Sequence, residues 1–378
     1  MHLNLKETEE IIKKFGSYCV SFLYCGTVFN IRTTLKKFER KNIPTFDLII
    51  VDEASQMKLQ ELAFVMQYLD PVNGRILVVG DHLQLRPIFI NEYPKTLLHE
   101  DLVQLDTSIL TFFRDKLGED HVLSLKDNYR MSETLAKFTE ITYPEYTYKH
   151  VDKPRNILKL PFEHEENEMN STYDSVFTSE KALQVVFLEY EKNDGQDRVY
   201  RREADFVCKL IRNVYDAFAD DDDRQEKMKE IFIITPHHAQ QDLINARLPT
   251  FKVPEEVKNA MVINTAECVQ GKEAELVIIC YSYVDFHSTE TELDFIYDLN
   301  RLNVAVTRAK ERVIFVTTKN VVDDVSLELL AKDARISGYH YIQNIVKQGD
   351  CRTILENEYG EQDLGYNDNL LNDDEEKV

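Results

Sequence analysis

The sequence predicts an α/β protein with parallel sheets arranged in two successive series. Three observations carry this. Two apolar, β-branched runs, Leu48–Val51 and Ile76–Val79, end in polar residues: Asp52-Glu53 after the first, Gly80-Asp81-His82-Leu83-Gln84 after the second. Buried parallel strands with polar residues at their carboxyl ends are how such folds build a ligand site. A second alternation of apolar runs and helical spacing fills residues 203–316. The 378 residues also suffice for about two domains at roughly 150 residues each.

Taken in order, residues 5–16 have the spacing of a short helix and Ser17–Cys25 of a strand; Gly26-Thr27 then precedes a helix over Ile31–Arg40. Phe46–Val51 reads as a strand, Leu59–Tyr68 as a helix and Ile76–Val79 as a strand. Alternating β and α units of this length favour a parallel sheet with helices on its faces. Residues 98–118 are helical by spacing and lead into an expected strand, His121–Leu125. Residues 149–182, with ENEMNSTYDS at the centre, are polar and irregular and read as a surface insertion or mobile loop. In the second series, Glu203–Ala217 places Ala204, Val207, Leu210, Ile211 and Val214 on one helical face. Ile231–Ile234 is a strand ending in Thr235-Pro236, and Gln240–Leu248 a helix. Val262–Thr265 and Leu276–Tyr281 are strands, Arg301–Ala309 a helix and Val313–Val316 a buried strand. The chain after about residue 358 lacks a pattern that could bury a core, and disorder is expected there.

Composition narrows the function. The apolar fraction, 43%, is that of a globular protein. The net charge of −22 argues against a surface that binds nucleic acid everywhere, because phosphate affinity comes from Lys and Arg. Much of that charge sits in Asp220–Asp223 and in the tail Glu361–Val378, which leaves room for a local basic groove. Six scattered cysteines without a CxxC read as reduced, mostly buried thiols of a cytoplasmic or nuclear protein. The charged start carries no signal-peptide core and no apolar run approaches a membrane span, so no membrane partner is expected.

The polar strand ends carry the chemistry. Adjacent carboxylates such as Asp52 and Glu53 suit metal-assisted nucleotide hydrolysis, one holding Mg²⁺ through its water shell and the other taking a proton from the attacking water. Taken alone, they fit helix-capping carboxylates equally well. Gly80 permits close backbone approach. The Gln84 amide can donate to a phosphate oxygen and accept from water, or simply be a solvated loop residue. Tyr129 could stack on a base and Arg130 pair bidentately with phosphate, although a half-buried tyrosine beside a surface arginine is the commoner case. In Gln270-Gly271-Lys272-Glu273 the glycine turns the chain and Glu273 could accept from a ribose hydroxyl or position water; alone, it is a charged loop. Over Arg301–Lys310, Leu302, Ala305, Val306 and Ala309 form an apolar stripe with Arg301, Thr307 and Arg308 off it. An arginine supplied by a second domain can stabilise a transferring phosphoryl group by about 10³–10⁵ in rate; the alternative is a basic helix end.

Six segments occur in the order of the superfamily 1 helicase motifs: VDEAS, GDHLQLRP, LKDNYRMS, ITPHHAQ, NTAECVQGKEAELVIICYSY and RLNVAVTRAKERVIFV. Over roughly residues 18–318 the chain resembles that superfamily, in the branch of the nonsense-mediated decay helicase and its DNA-processing relatives. The resemblance implies two RecA-like (P-loop NTPase) domains with ATP between them and single-stranded RNA or DNA running across both. It implies that Asp52 binds Mg²⁺, Glu53 activates water, Gln84 senses the γ-phosphate, Tyr129 stacks near adenine, and Arg130 and Arg308 reach the γ-phosphate. Gln270, Glu273 and Arg301 fall among the expected nucleotide residues, and Thr27, Thr235, Pro236, His237 and Thr265 among the expected strand contacts. The expected domains are 1–124 and 125–335, with an extension over 336–378.

One part is missing. No GxxxxGK[ST] occurs, and the only Gly-Lys pair, Gly271-Lys272, is followed by Glu273. The family's phosphate-cradling loop would lie upstream of Thr27, so the first domain is expected to be cut short at its N-terminus. Two readings follow: the carboxyl-terminal piece of a longer ATP-dependent helicase, with little or no ATPase activity alone, or a catalytically dead module that binds nucleic acid or a partner. A small GTPase-like switch fails on the absent loop and the two-domain series.

Overall fold

The computed structural model describes residues 23–35, 45–89, 107–144, 149–151, 175–177, 179–191, 194–219, 222–284, 290–323 and 333–354. The expected helix over 5–16, most of the strand before Cys25, residues 36–40 and 98–106, most of the 149–182 stretch and the tail after 358 lie outside them. The chain divides into two compact units, Met1–Ser124 and Leu125–Val378.

In the first unit, α1 (Val28–Leu35) starts at Thr27, whose Oγ1 accepts from Asn30 N at 3.2 Å. The helix thus begins three residues before Ile31, because threonine caps the free amides of a first turn. β1 (Leu48–Val51) and β2 (Arg75–Val78) pair in parallel, with Ile49 opposite Ile76 and Val51 opposite Val78. They flank α2 (Leu59–Met66). Alternation along β1 buries Ile49 and Val51 in a core with Ala54, Met57, Leu62, Val65 and Ile109. Its other face is open: Leu48 and Ile50 are 51% and 54% exposed. This corrects the expectation of fully buried strands; an apolar run cannot by itself tell one covered face from two.

α3 (Ile109–Leu117) is capped by Ser108, whose Oγ accepts from Thr111 N at 3.2 Å, and ends at Gly118 with φ 78°. The strand expected over His121–Leu125 does not form. A 3₁₀ turn covers Glu119–His121, and Leu123 and Leu125 beyond it are 96% and 85% exposed. Alternating side chains make a strand only where a neighbouring strand takes up the main-chain hydrogen bonds.

In the second unit, β3 (Asp127–Asn128) pairs in parallel with β4 (Lys149–His150), so the polar stretch from 149 opens in a strand. α4 (Glu133–Thr139) lies between them in sequence. The main sheet has six parallel strands in the order β10-β5-β9-β8-β6-β7. These are β5 (Leu183–Leu188), β6 (Ile231–Ile234), β7 (Val262–Asn264), β8 (Ala274–Tyr281), β9 (Ala309–Thr317) and β10 (Asp350–Ile354). Central β8 is buried at every position, as its run of Val and Ile requires when both faces are covered.

After α4, the helices of this unit among the described residues are α5 (Gln196–Ala217), α6 (Arg224–Lys229), α7 (His238–Arg247), α8 (Glu255–Ala260), α9 (Ala266–Val269), α10 (Glu290–Ile296), α11 (Leu299–Thr307), α12 (Lys319–Val322) and α13 (Asp333–Gln348). All five residues of the expected α5 stripe are buried. The Arg301–Ala309 helix is shifted: it ends at Thr307, and Ala309 already pairs with Ala274 as the first residue of β9. β10 pairs with β5 and carries the sheet beyond residue 335. Among the described cysteines none is in a disulfide, and Cys25, Cys268 and Cys351 are exposed while Cys208 and Cys280 are buried. The expectation of mostly buried thiols is therefore corrected. No helix among the described residues is long and apolar enough to cross a membrane.

Candidate functional site

In the first unit, Asp52 and Glu53 follow β1 directly, both exposed, and Asp52 Oδ1 accepts from Glu53 N at 3.0 Å. Glu53 has left-handed backbone, φ 50° and ψ 42°, and leads into a 3₁₀ turn, Ala54–Gln56. Ala54 N donates to Val79 O at 2.9 Å, which lays this turn across the end of β2. Gly80 is glycine for that reason: a Cβ there would sit 3.0 Å from Ala54 N and 3.2 Å from Ser55 N. The next loop folds around the Asp81 carboxylate, which accepts from Leu83 N at 2.9 Å and from Gln84 Nε2 at 3.1 Å. Asp52, Glu53 and Gln84 thus follow the carboxyl ends of one strand pair. No group of three or more His, Cys, Asp or Glu among the described residues could cage a metal. A single exposed carboxylate fits Mg²⁺, which keeps most of its water and takes one or two carboxylates plus phosphate oxygens.

The second unit gathers its candidates at two opposite edges of the six-stranded sheet. At the amino edge, where β8 and β9 begin, Arg130 Nε donates to Glu273 Oε2 at 2.9 Å and Arg130 Nη1 to Thr307 O at 3.2 Å. Asn128 aims this arginine: its Oδ1 accepts from the amides of Arg130 and Met131 at 3.0 Å each, an Asx turn. Tyr129 beside it is 50% exposed. Gly271, with φ 76°, turns the chain between Gln270, at the end of α9, and Glu273. Arg308 is 1% exposed. It donates to Val304 O at 3.1 Å, Lys272 O at 3.1 Å and Thr307 Oγ1 at 3.2 Å.

Lys310 completes this edge. Its Nζ lies 2.9 Å from Glu230, 3.3 Å from Glu275 and 3.7 Å from Glu273, and its carbonyl accepts from Ser132 N at 2.6 Å. Partial burial alone would raise the Glu273 carboxyl, but the Arg130 bond and the charges of Arg130, Lys310 and Arg308 outweigh it and hold it below the ordinary range. Burial likewise opposes the Lys310 charge, and its bonds to Glu230 and Glu275 overcome that and raise it.

At the carboxyl edge, Thr235 follows β6 and Thr265 caps α9, but they are only 1% and 6% exposed. Thr235 Oγ1 donates to His237 O at 3.1 Å. The expected strand contacts through these two hydroxyls are therefore turned inward, and the half-buried Pro236 and His237 hold the surface. His237 stacks on Phe295 at 4.8 Å and lies 2.7 Å from Glu292. Arg301 also lies over the Phe295 ring, 3.9 Å from its centroid, and donates to Glu267 at 2.7 Å. Burial would raise the Glu267 carboxyl, but the Arg301 bond and charge, together with hydrogen bonds from its own backbone amide and from Thr265, outweigh it and hold it below the ordinary range. Arg301 thus belongs with His237 and not with Arg308, roughly 10 Å further along α11 at 1.5 Å per residue. Thr27, just ahead of α1, is exposed with its hydroxyl engaged as the cap.

A family model described as an AAA domain matches residues 105–320, and a second model of the same description matches residues 21–137. DNA polymerase alpha-associated DNA helicase A of Schizosaccharomyces pombe is 26% identical over 73% of this chain and 38% of its own length. An uncharacterized ATP-dependent helicase of Methanocaldococcus jannaschii is 29% identical over 73% of this chain and 36% of its own. The chain therefore spans little more than a third of these relatives. Among solved structures, Arterivirus nonstructural protein 10 (helicase) in complex with DNA matches 72% of this chain and 40% of that one, at 12% identity and a TM-score of 0.30.

Proposed function

This chain belongs to the AAA domain family, in its superfamily 1 helicase branch, and on that premise we propose that it is part of an ATP-driven helicase or translocase working on single-stranded nucleic acid. One observation carries the reading furthest. Arg130, Glu273 and Arg308, far apart in sequence, converge at one edge of one sheet, with Arg130 joined to both Glu273 and the Thr307 carbonyl. Converging cations are what a departing phosphoryl group needs.

In this reading Asp52 would hold Mg²⁺, which would supply charge neutralisation to the phosphates. Glu53 takes the proton from the attacking water, and Gln84 contacts the γ-phosphate. Arg130 exchanges Glu273 for phosphate oxygens, freeing Glu273 for a ribose hydroxyl or water, with Gln270 beside it. Arg308 leaves the Lys272 and Thr307 oxygens for phosphate oxygens as well. Tyr129, half-exposed beside Arg130, stacks on the base. Thr27 and the Thr235–His237 segment face the strand, the latter through Pro236, His237 and main chain.

A second reading, a strand-binding module without turnover, is favoured by the absence of any GxxxxGK[ST] in the chain. Nucleotide binding by the chain separates the two: the helicase reading expects strand affinity to respond to ATP and to Arg308→Ala, and the module reading expects no response to either. For this chain alone, strand binding with background ATP turnover is expected, and strand-stimulated turnover would overturn that expectation. Such turnover, if undiminished by Glu53→Gln, would also remove Glu53 from its assigned role.

A further inference from the structure

Glu203 is 0% exposed, a rare position for a carboxylate. It projects from α5 at the carboxyl edge of the main sheet. Both its oxygens are taken: Oε2 accepts from Gln240 Nε2 at 2.7 Å and Oε1 from Ser282 N at 2.9 Å. Gln240 is also 0% exposed; its Nε2 donates again to Tyr200 O at 3.1 Å, and its Oε1 has no hydrogen-bond partner among the described residues. Gln240 stands in the first turn of α7, three residues after His237, and Ser282 is the first residue beyond β8. Gln196, also on α5, reinforces the contact: its Nε2 donates to Ser282 O at 3.0 Å and its Oε1 accepts from Val284 N at 2.9 Å.

An apolar residue would fill this space at no electrostatic cost. What the carboxylate adds is a fixed geometry between two strand ends. We propose that Glu203 is a positioning residue for strand binding: it locks Gln240, and with it the Thr235–His237 segment, to the main chain at the mouth of β8. The inference rests on the reading of that edge as the nucleic-acid face. The titratable groups facing Glu203 are Tyr200 from its own helix and Cys280 from β8; α7 contributes the neutral Gln240. Burial pushes the Glu203 carboxyl up to about 7, against the pull of its bonds to Ser282 and Gln240. Above that pH the lock is ionised and both donors are held by charge-assisted bonds.

The test is fluorescence anisotropy of labelled single-stranded oligothymidylate with the full chain, unaltered and Glu203→Gln, across neutral pH. Gln240→Met serves as a second break of the same link. Each variant should weaken binding by about tenfold, and the ratio of unaltered to E203Q affinity should grow as pH rises through about 7. A purely structural role would give no such pH dependence in the ratio. Equal affinities throughout overturn the proposal while leaving strand binding in place. Failure of the unaltered chain to bind overturns the strand-face reading and the proposal with it. If neither variant folds, hydrogen exchange on the unaltered chain decides: slower exchange over 238–241 and 282–284 on adding the strand supports the lock, and unchanged exchange overturns it.

Discussion

Glu53 stands in a backbone conformation that costs an ordinary residue about 1–2 kcal/mol, yet it is an exposed glutamate beside a second carboxylate. Strain of this kind persists where a side chain is needed for its chemistry. Glu53→Gly should therefore raise stability by about 1 kcal/mol, seen as a higher urea midpoint; an unchanged or lower midpoint would show that the turn stores no strain. Glu203 makes a different prediction. Its carboxyl rises from 4.5 to about 7 on burial, so the folded state binds the proton more tightly than the unfolded one. That stabilisation is complete below about 4.5 and is lost as pH climbs through about 7, up to about 3 kcal/mol. Across that window Glu203→Gln should gain on the unaltered chain in urea midpoint. Parallel midpoint curves would refute the shift. Neither feature is visible in sequence: a glutamate in an amphipathic helix looks solvated until the fold places it, and a left-handed φ has no spelling except glycine.

Gly80 decides how closely the ends of β1 and β2 approach. Gly80→Ala brings a methyl to 3.0 Å from Ala54 N and 3.2 Å from Leu110 Cδ2, and should cost about 1–3 kcal/mol by urea denaturation; a neutral result would mean the 3₁₀ turn moves aside freely. At this scale much was legible. Ile231–Ile234 forms with the expected bounds, and β8 extends its expected run by two residues at the amino end. Continuous Val and Ile mark a central parallel strand, and an apolar stripe marks α5. The Leu183–Leu188 strand, α13 and β10 were not expected, because short apolar runs beside polar stretches satisfy helix and strand alike until a partner is known. The partner of Arg130, Glu273, lies 143 residues away, beyond any spacing argument. Only the order of the six motifs suggested that the two share a site. Asn128 was readable in principle, since Asn two residues before Arg130 is an Asx-turn signature.

At the scale of the whole chain, a net charge of −22 disfavours phosphates, and among the described residues many basic side chains are already paired with carboxylates. Strand affinity should fall with salt at a log–log slope of about −2 to −4, much shallower than for a basic nucleic-acid binder. A steeper slope would point to an interface this charge pattern does not supply. Within the second unit the two groups of candidate residues sit at opposite margins of the sheet, and α11 touches both. Arg301, bonded to Glu267, stands near its beginning, and Arg308, bonded to Lys272 O, follows its end. A helix of nine residues behaves as a short stiff rod, so Arg301 cannot slide along the axis without dragging Arg308. Adding one residue between them would swing Arg308 by about 100° about that axis and point its guanidinium at a different neighbour altogether.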